Sequence, residues 1–192
     1  MTVVHSLQWF TALLGLAGDP TAGSHLAVIR AAPEVRLTTQ AGTAFEPGDL
    51  KGRVTLVSFI FTTCSGACPA TTSRMVQVQQ ALKAKGHGPE HVRLLSITLD
   101  PVRDTPERLQ RYLQVNNIDD ASWAFLTGKP DEVNKVIHEW GMWAKPLPSG
   151  QLDHPSRIFL VDKKGRIREI YDLNFLRPAW VLKDIELLRA DD

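Results

Sequence analysis

Two almost unbroken apolar runs, each followed by helix signals, restrict this 192-residue chain more than any other feature. Val54 to Phe61 (VTLVSFIF) and Val92 to Leu99 (VRLLSITL) have the length of strands and lack the strict polar alternation of a half-exposed one. Strands of that kind are buried on both faces, which requires a largely parallel sheet covered by helices. After the first run, Pro69 marks a first helical residue, and Met75, Val78 and Leu82 recur at helical spacing until Gly86-His87-Gly88-Pro89. After the second run, Thr105-Pro106-Glu107 supplies a cap, an N1 proline and a first-turn acid for a helix to about Asn116. The pattern is two successive strand and helix units.

The rest of the chain extends it. Trp123 to Leu126 predicts a short strand and Pro130 to Trp140 a helix, followed by a loop rich in Pro and Gly from Lys145 to Gly150. Arg157 to Val161, the turn Asp162-Lys163-Lys164-Gly165 and Arg166 to Tyr171 predict a hairpin, and Pro178 to Arg189 a last helix. Ahead of the first run, a polar stretch from Thr39 through Gly42 to Gly52 reads as hairpin-like. The expected fold is α/β, a thioredoxin-like sandwich with a central mixed sheet flanked by helices and an N-terminal hairpin-like extension.

A chain of this length with 43% hydrophobic residues buries one ordinary core. The expected organisation is an N-terminal segment over 1–33 and one domain over 34–192, acting as a monomer. Trp9 to Gly18 is apolar like a signal-peptide core, but no Lys or Arg precedes Arg30. It reads as the remnant of a trimmed anchor or signal, a misassigned start, or an amphipathic segment, which leaves membrane anchoring open. The charges nearly cancel, 22 Lys and Arg against 21 Asp and Glu, so no polybasic field draws the chain to nucleic acid.

Two cysteines four positions apart are no structural disulfide framework. Cys64 and Cys68, in Phe61-Thr62-Thr63-Cys64-Ser65-Gly66-Ala67-Cys68-Pro69, stand in the loop between a buried strand and a helix N-terminus. The positive end of the helix is expected to favour thiolate, the form that both a nucleophile and a metal ligand need. Gly66 is expected to let the loop turn so that the sulfurs converge. Soft thiolates select Cu(I), Zn or iron–sulfur clusters, and imidazole extends the choice to Zn, Cu and Fe. Two thiolates and one imidazole suit low-coordinate copper, and His154, just before the Arg157 strand, is the candidate imidazole.

His87 and His91 have the spacing of a helical metal pair, but Gly88-Pro89 between them disfavours a helix. His138 reads as packed or at the surface, and His5 and His25 belong to the N-terminal segment. Asp100, in Asp100-Pro101-Val102-Arg103-Asp104, should share a sheet edge with the Cys loop, where a carboxylate can orient a ligand or hold a cation. Asp104 reads more simply as a helix cap and turn.

Taken together these segments resemble the Sco/SenC family of thioredoxin-like copper proteins, associated with assembly of the dinuclear copper site of cytochrome oxidase. The likeness covers about 35–190. It rests on the C-x-x-x-C-P loop from Cys64 to Pro69, on Leu99-Asp100-Pro101-Val102-Arg103-Asp104-Thr105-Pro106, on Trp123-Ala124-Phe125-Leu126-Thr127-Gly128, and on Asp153-His154 ahead of Asp162. The resemblance implies that Cys64, Cys68 and His154 ligate copper, Cu(I) or Cu(II), with Asp100 and Asp153 nearby as supporting carboxylates. It also implies an extracytoplasmic location, periplasmic or membrane-facing. This chain departs from the family's pattern at Ser65, where Pro is common, and at Pro155 after His154, about one residue early for the cis-proline of thioredoxin folds.

Two functions of different classes follow. One is a metallochaperone that delivers copper to the copper-site subunit of cytochrome c oxidase, or to another copper or thiol protein. The other is an enzyme, a thiol–disulfide oxidoreductase in which Cys64 and Cys68 form a redox-active pair that keeps partner cysteines reduced. The loop is one residue longer than the redox C-x-x-C motif, and the added histidine favours metal. A thiol peroxidase would resemble a T-x-x-C pattern, and Phe61 stands where that Thr would be.

Overall fold

The computed structural model describes residues 26–190, so the apolar stretch Trp9 to Gly18, His5 and His25 lie outside the described residues. The strands are β1 (Arg30–Ala31), β2 (Leu37–Thr39), β3 (Ala44–Phe45), β4 (Val54–Ile60), β5 (Val92–Thr98), β6 (Trp123–Thr127), β7 (Lys145–Pro146), β8 (Leu152–Asp153), β9 (Ile158–Val161) and β10 (Arg166–Tyr171). The helices are α1 (Ala67–Ala84), α2 (Pro106–Val115), α3 (Pro130–Glu139) and α4 (Pro178–Ala190).

Eight strands make one mixed sheet in the order β1-β10-β9-β4-β5-β6-β2-β3. The two apolar runs lie side by side at its centre, parallel and in register from Val54↔Val92 to Ile60↔Thr98. Every residue of β4 is buried, which is why that run shows no polar alternation. β6 adds in parallel to β5, and β9 adds antiparallel to the other side of β4.

Helices cover both faces. Tyr112 of α2 meets Phe125 and bonds through its hydroxyl to Thr72 of α1, while α1 reaches α4 through Lys85 and Glu186. On the opposite face Trp140, at the end of α3, packs edge-on against Phe59 and Phe159. The large buried aromatics bring one polar device into the core. The indole N–H of Trp123 donates to Ser96 Oγ at 2.9 Å, and Ser96 meets Ser58 Oγ at 2.8 Å across the central strands. A buried indole needs such an acceptor.

Three details depart from the sequence expectations, whereas the N-terminal hairpin, β2 and β3, forms as expected and extends one edge of the main sheet, β2 pairing with β6. β1 closes the other edge against β10, ahead of residue 34. α1 begins at Ala67 rather than Pro69, so Cys68 lies within the helix. Proline is tolerated there because the N–H groups of a first turn have no intrahelical acceptor. Finally, the loop after α3 contains its own small hairpin, β7 paired with β8.

The topology fixes where function can gather. β4 ends at the cysteine loop, and β9, antiparallel to β4, begins just after His154. The two loops therefore open on the same edge of the sheet. The peptide bond before Pro155 is trans, as are all those described.

Candidate metal centre

The loop after β4 is tied down from beneath by a carboxylate. Asp104, fully buried, accepts from the backbone N–H of Thr62 at 3.1 Å, from Thr62 Oγ1 at 2.5 Å and from Thr98 Oγ1 at 2.6 Å. One side chain thus joins the ends of β4 and β5 to the approach of α2. Burial pushes the Asp104 carboxyl above its usual range, against the lowering effect of the Thr62 and Thr98 hydrogen bonds. Asp104 does not cap α2; Thr105 does, accepting from the N–H of Arg108.

On that base the loop brings Cys64 and Cys68 together with His154. Their ligand atoms, two sulfurs and one imidazole nitrogen, all lie within 4.8 Å of one another. Cys68 is buried and Cys64 half-buried, and both are free thiols. His154 Nδ1 lies 3.0 Å from the carbonyl oxygen of Pro155, which can only accept, so Nδ1 carries the proton. Nε2, on the other side of the ring, sits 3.8 Å from Cys68 Sγ. The ring is held edge-on to Phe61, with centroids 5.8 Å apart. A tautomer fixed by a backbone carbonyl is the arrangement that presents a nitrogen to a metal.

One expectation about the thiols is overturned. Burial, with the hydrogen bond that the Cys68 thiol shares with Cys64 adding to it, pushes the Cys68 thiol up to about 12. The helix start does not win at Cys68 because that side chain turns into the core, where desolvation of a thiolate outweighs the partial charge of a helix end.

Neither supporting carboxylate is itself one of the three clustered donors. Asp100 is buried and pairs with Arg103, whose guanidinium also donates to the Gly150 carbonyl at 3.1 Å. Asp100 therefore holds a cation of its own chain, and it does not join the cluster of sulfurs and imidazole. Asp153 is exposed, opposite Lys145 in the small hairpin, and does not join it either. His87 contacts Arg189 and Glu186, His91 lies by Glu90, and His138 is exposed, so none belongs to the centre. One residue was invisible in the sequence reading. Gln151 reaches across to the cysteine loop, with Oε1 3.0 Å from the N–H of Ser65 and Nε2 3.0 Å from the carbonyl of Thr63.

The sequence model of the SCO1/SenC family matches residues 27–188. This chain belongs to the SCO1/SenC family. Among SCO1/SenC relatives, an SCO1 protein homolog of Bacillus subtilis is 33% identical over 129 residues, a region spanning 64% of this chain and 64% of the relative. The match thus takes in just under two thirds of that relative's length. Bradyrhizobium japonicum ScoI, solved with copper bound, is similar at a TM-score of 0.72 and 30% identity, over 82% of this chain and 99% of that one. BsSco, a member of the Sco family of cytochrome c oxidase assembly proteins in which a disulfide switch was identified, matches at a TM-score of 0.76 and 25% identity, over 88% and 98%. The SCO1/SenC fold accordingly accounts for the whole described sheet, and its edge carries the Cys64, Cys68 and His154 cluster.

Proposed function

We propose that this SCO1/SenC protein is a copper metallochaperone that holds copper through Cys64, Cys68 and His154 and passes it to the copper-site subunit of cytochrome c oxidase. The observation that carries this reading is the imidazole: Nε2 of His154 lies 3.8 Å from the Cys68 sulfur, while Nδ1 faces the Pro155 carbonyl. A dithiol reductase has no need of a nitrogen ligand there, whereas a copper site gains a third donor. The donor set fits the metal, since thiolates select Cu(I) and imidazole suits Cu(II) as well. Copper would supply a Lewis-acidic centre that replaces the Cys68 proton.

The residues divide the work by exposure. Cys68 and Phe61, both buried, form the dry side of the site, where water competes poorly, with the His154 ring packed edge-on to Phe61. Cys64, half-buried, forms the open side, through which an acceptor's ligand can approach and share the metal. No described helix is long and apolar enough to cross a membrane. A Bacillus anthracis SCO1/SenC relative of known structure is a lipoprotein. That supports an extracytoplasmic place of work beside the oxidase.

The test compares substitutions in cells lacking the native gene, with oxidase activity scored at limiting copper. His154→Ala should impair oxidase assembly nearly as badly as Cys64→Ser. A fully active His154→Ala beside a dead Cys64→Ser would replace this reading with a thiol–disulfide oxidoreductase.

A further inference from the structure

We infer that Gln151 is a positioning residue of the metal centre, holding the Cys64 backbone against the hairpin that carries His154; the copper part of this inference rests on the function proposed above. The three donors come from two separate segments, the β4–α1 connection with the first turn of α1 and the loop before β9, and nothing covalent nearby sets the distance between them. Gln151 spans the gap. Its amide oxygen accepts from Ser65 and its amide nitrogen donates to Thr63, the two residues that flank Cys64. The orientation of the amide is settled by its partners, because a backbone N–H can only donate and a carbonyl can only accept. A single side chain thus grips the main chain on both sides of one ligand.

The other end of the grip is equally well placed. Gln151 stands immediately before β8, Leu152–Asp153, which pairs with β7 and runs straight into His154. The carbonyl of the preceding residue, Gly150, accepts from Arg103, which is itself paired with Asp100. The hairpin is therefore fastened to the cysteine loop by Gln151 and to the end of β5 by Arg103. A shift of this hairpin moves His154 relative to Cys64 and Cys68. Ligand sites tolerate little such slack, and groups that orient ligands are worth about 10- to 100-fold in metal affinity. Glutamine carries no chemistry of its own, which is why its spacing gives no signal.

Two variants separate the parts. Gln151→Met keeps the bulk and loses both hydrogen bonds; Gln151→Glu keeps an acceptor for Ser65 and loses the donor to Thr63. In the metal-free protein, amide exchange at Ser65 should be about tenfold faster or more in Gln151→Met than in the wild type. Cu(II) affinity, measured by chelator competition, should fall about tenfold in Gln151→Met, with Gln151→Glu between it and the wild type. The same substitution made in His154→Ala should change affinity little, because there is no imidazole left to position. Equal losses in both backgrounds, or unchanged Ser65 exchange, would overturn the inference. A wild type that takes up no copper sinks the proposed function instead, and Ser65 exchange alone then decides the role of Gln151.

Discussion

Nε2 of His154 lies 3.8 Å from Sγ of Cys68, although 86 residues separate them in the chain. The antiparallel pairing of β9 with β4 makes this meeting possible, since it turns the start of one strand and the end of the other to the same edge. The carbonyl of Pro155 then sets which nitrogen is offered. Fold and tautomer together yield a three-donor centre with one buried and one accessible sulfur.

The imidazole should matter unequally for the two copper oxidation states. His154→Ala is expected to weaken Cu(II) binding by about tenfold or more while changing Cu(I) binding much less, because two soft thiolates suffice for Cu(I) and Cu(II) favours nitrogen donors. Competition titrations with chelators specific to each state measure both affinities. Unchanged Cu(II) absorption and affinity in the variant would remove His154 from the site.

Oxidation should switch the site off. Cys64 and Cys68 are free thiols close enough for the sulfurs to interact. Glutathione disulfide can take two electrons and two protons from the pair, leaving a Cys64–Cys68 disulfide and two glutathione thiols. The oxidised protein then lacks the thiolates that copper requires. Thiol alkylation with mass spectrometry fixes the redox state, and copper loading of the same sample should show no tight equivalent at this site.

Asp104 gives a pH dependence with a definite sign. Burial raises its carboxyl in the folded chain, so the folded state holds that proton more tightly than the unfolded state does. Its contribution to stability is therefore present below the ordinary carboxylate value, about 3.9, and is lost as pH rises through the raised folded value. Asp104→Asn, neutral throughout, lacks this dependence. The stability of the wild type relative to Asp104→Asn should fall with rising pH across that window and level off above it. Urea unfolding of both proteins over a pH series measures the difference; a difference that grows with pH would contradict the account.

The core polar device is testable independently of copper. Ser96→Ala leaves the buried indole N–H of Trp123 without its acceptor, which should cost about 1–3 kcal/mol. Urea denaturation reports this directly, and a change below about 0.5 kcal/mol would show that the hydrogen bond contributes little.

Much of this architecture was legible in the sequence, for physical reasons. The two buried runs, the Thr105-Pro106-Glu107 cap and the Asp162 to Gly165 turn each state a local preference that the fold obeys. The cysteines and His154 were legible because their chemistry is rare and their order matches a family. β1, β7 and β8 were not, since strands of two residues have no period to detect. Asp104 looked like a cap because only the tertiary fold buries it beneath Thr62 and Thr98. The Cys68 thiol was misjudged for the same reason: the helix start is visible in the sequence, but burial is not.

The most direct measurement is an anaerobic copper titration of the reduced protein beside Cys64→Ser, Cys68→Ser and His154→Ala, following metal stoichiometry and absorption together. The account predicts one tight copper per wild-type chain, thiolate-to-Cu(II) absorption in the wild type, loss of tight binding in either cysteine variant, and loss chiefly of the Cu(II) form in His154→Ala. One full equivalent of tightly bound copper with unchanged absorption in Cys64→Ser and Cys68→Ser would place the metal elsewhere and contradict the account.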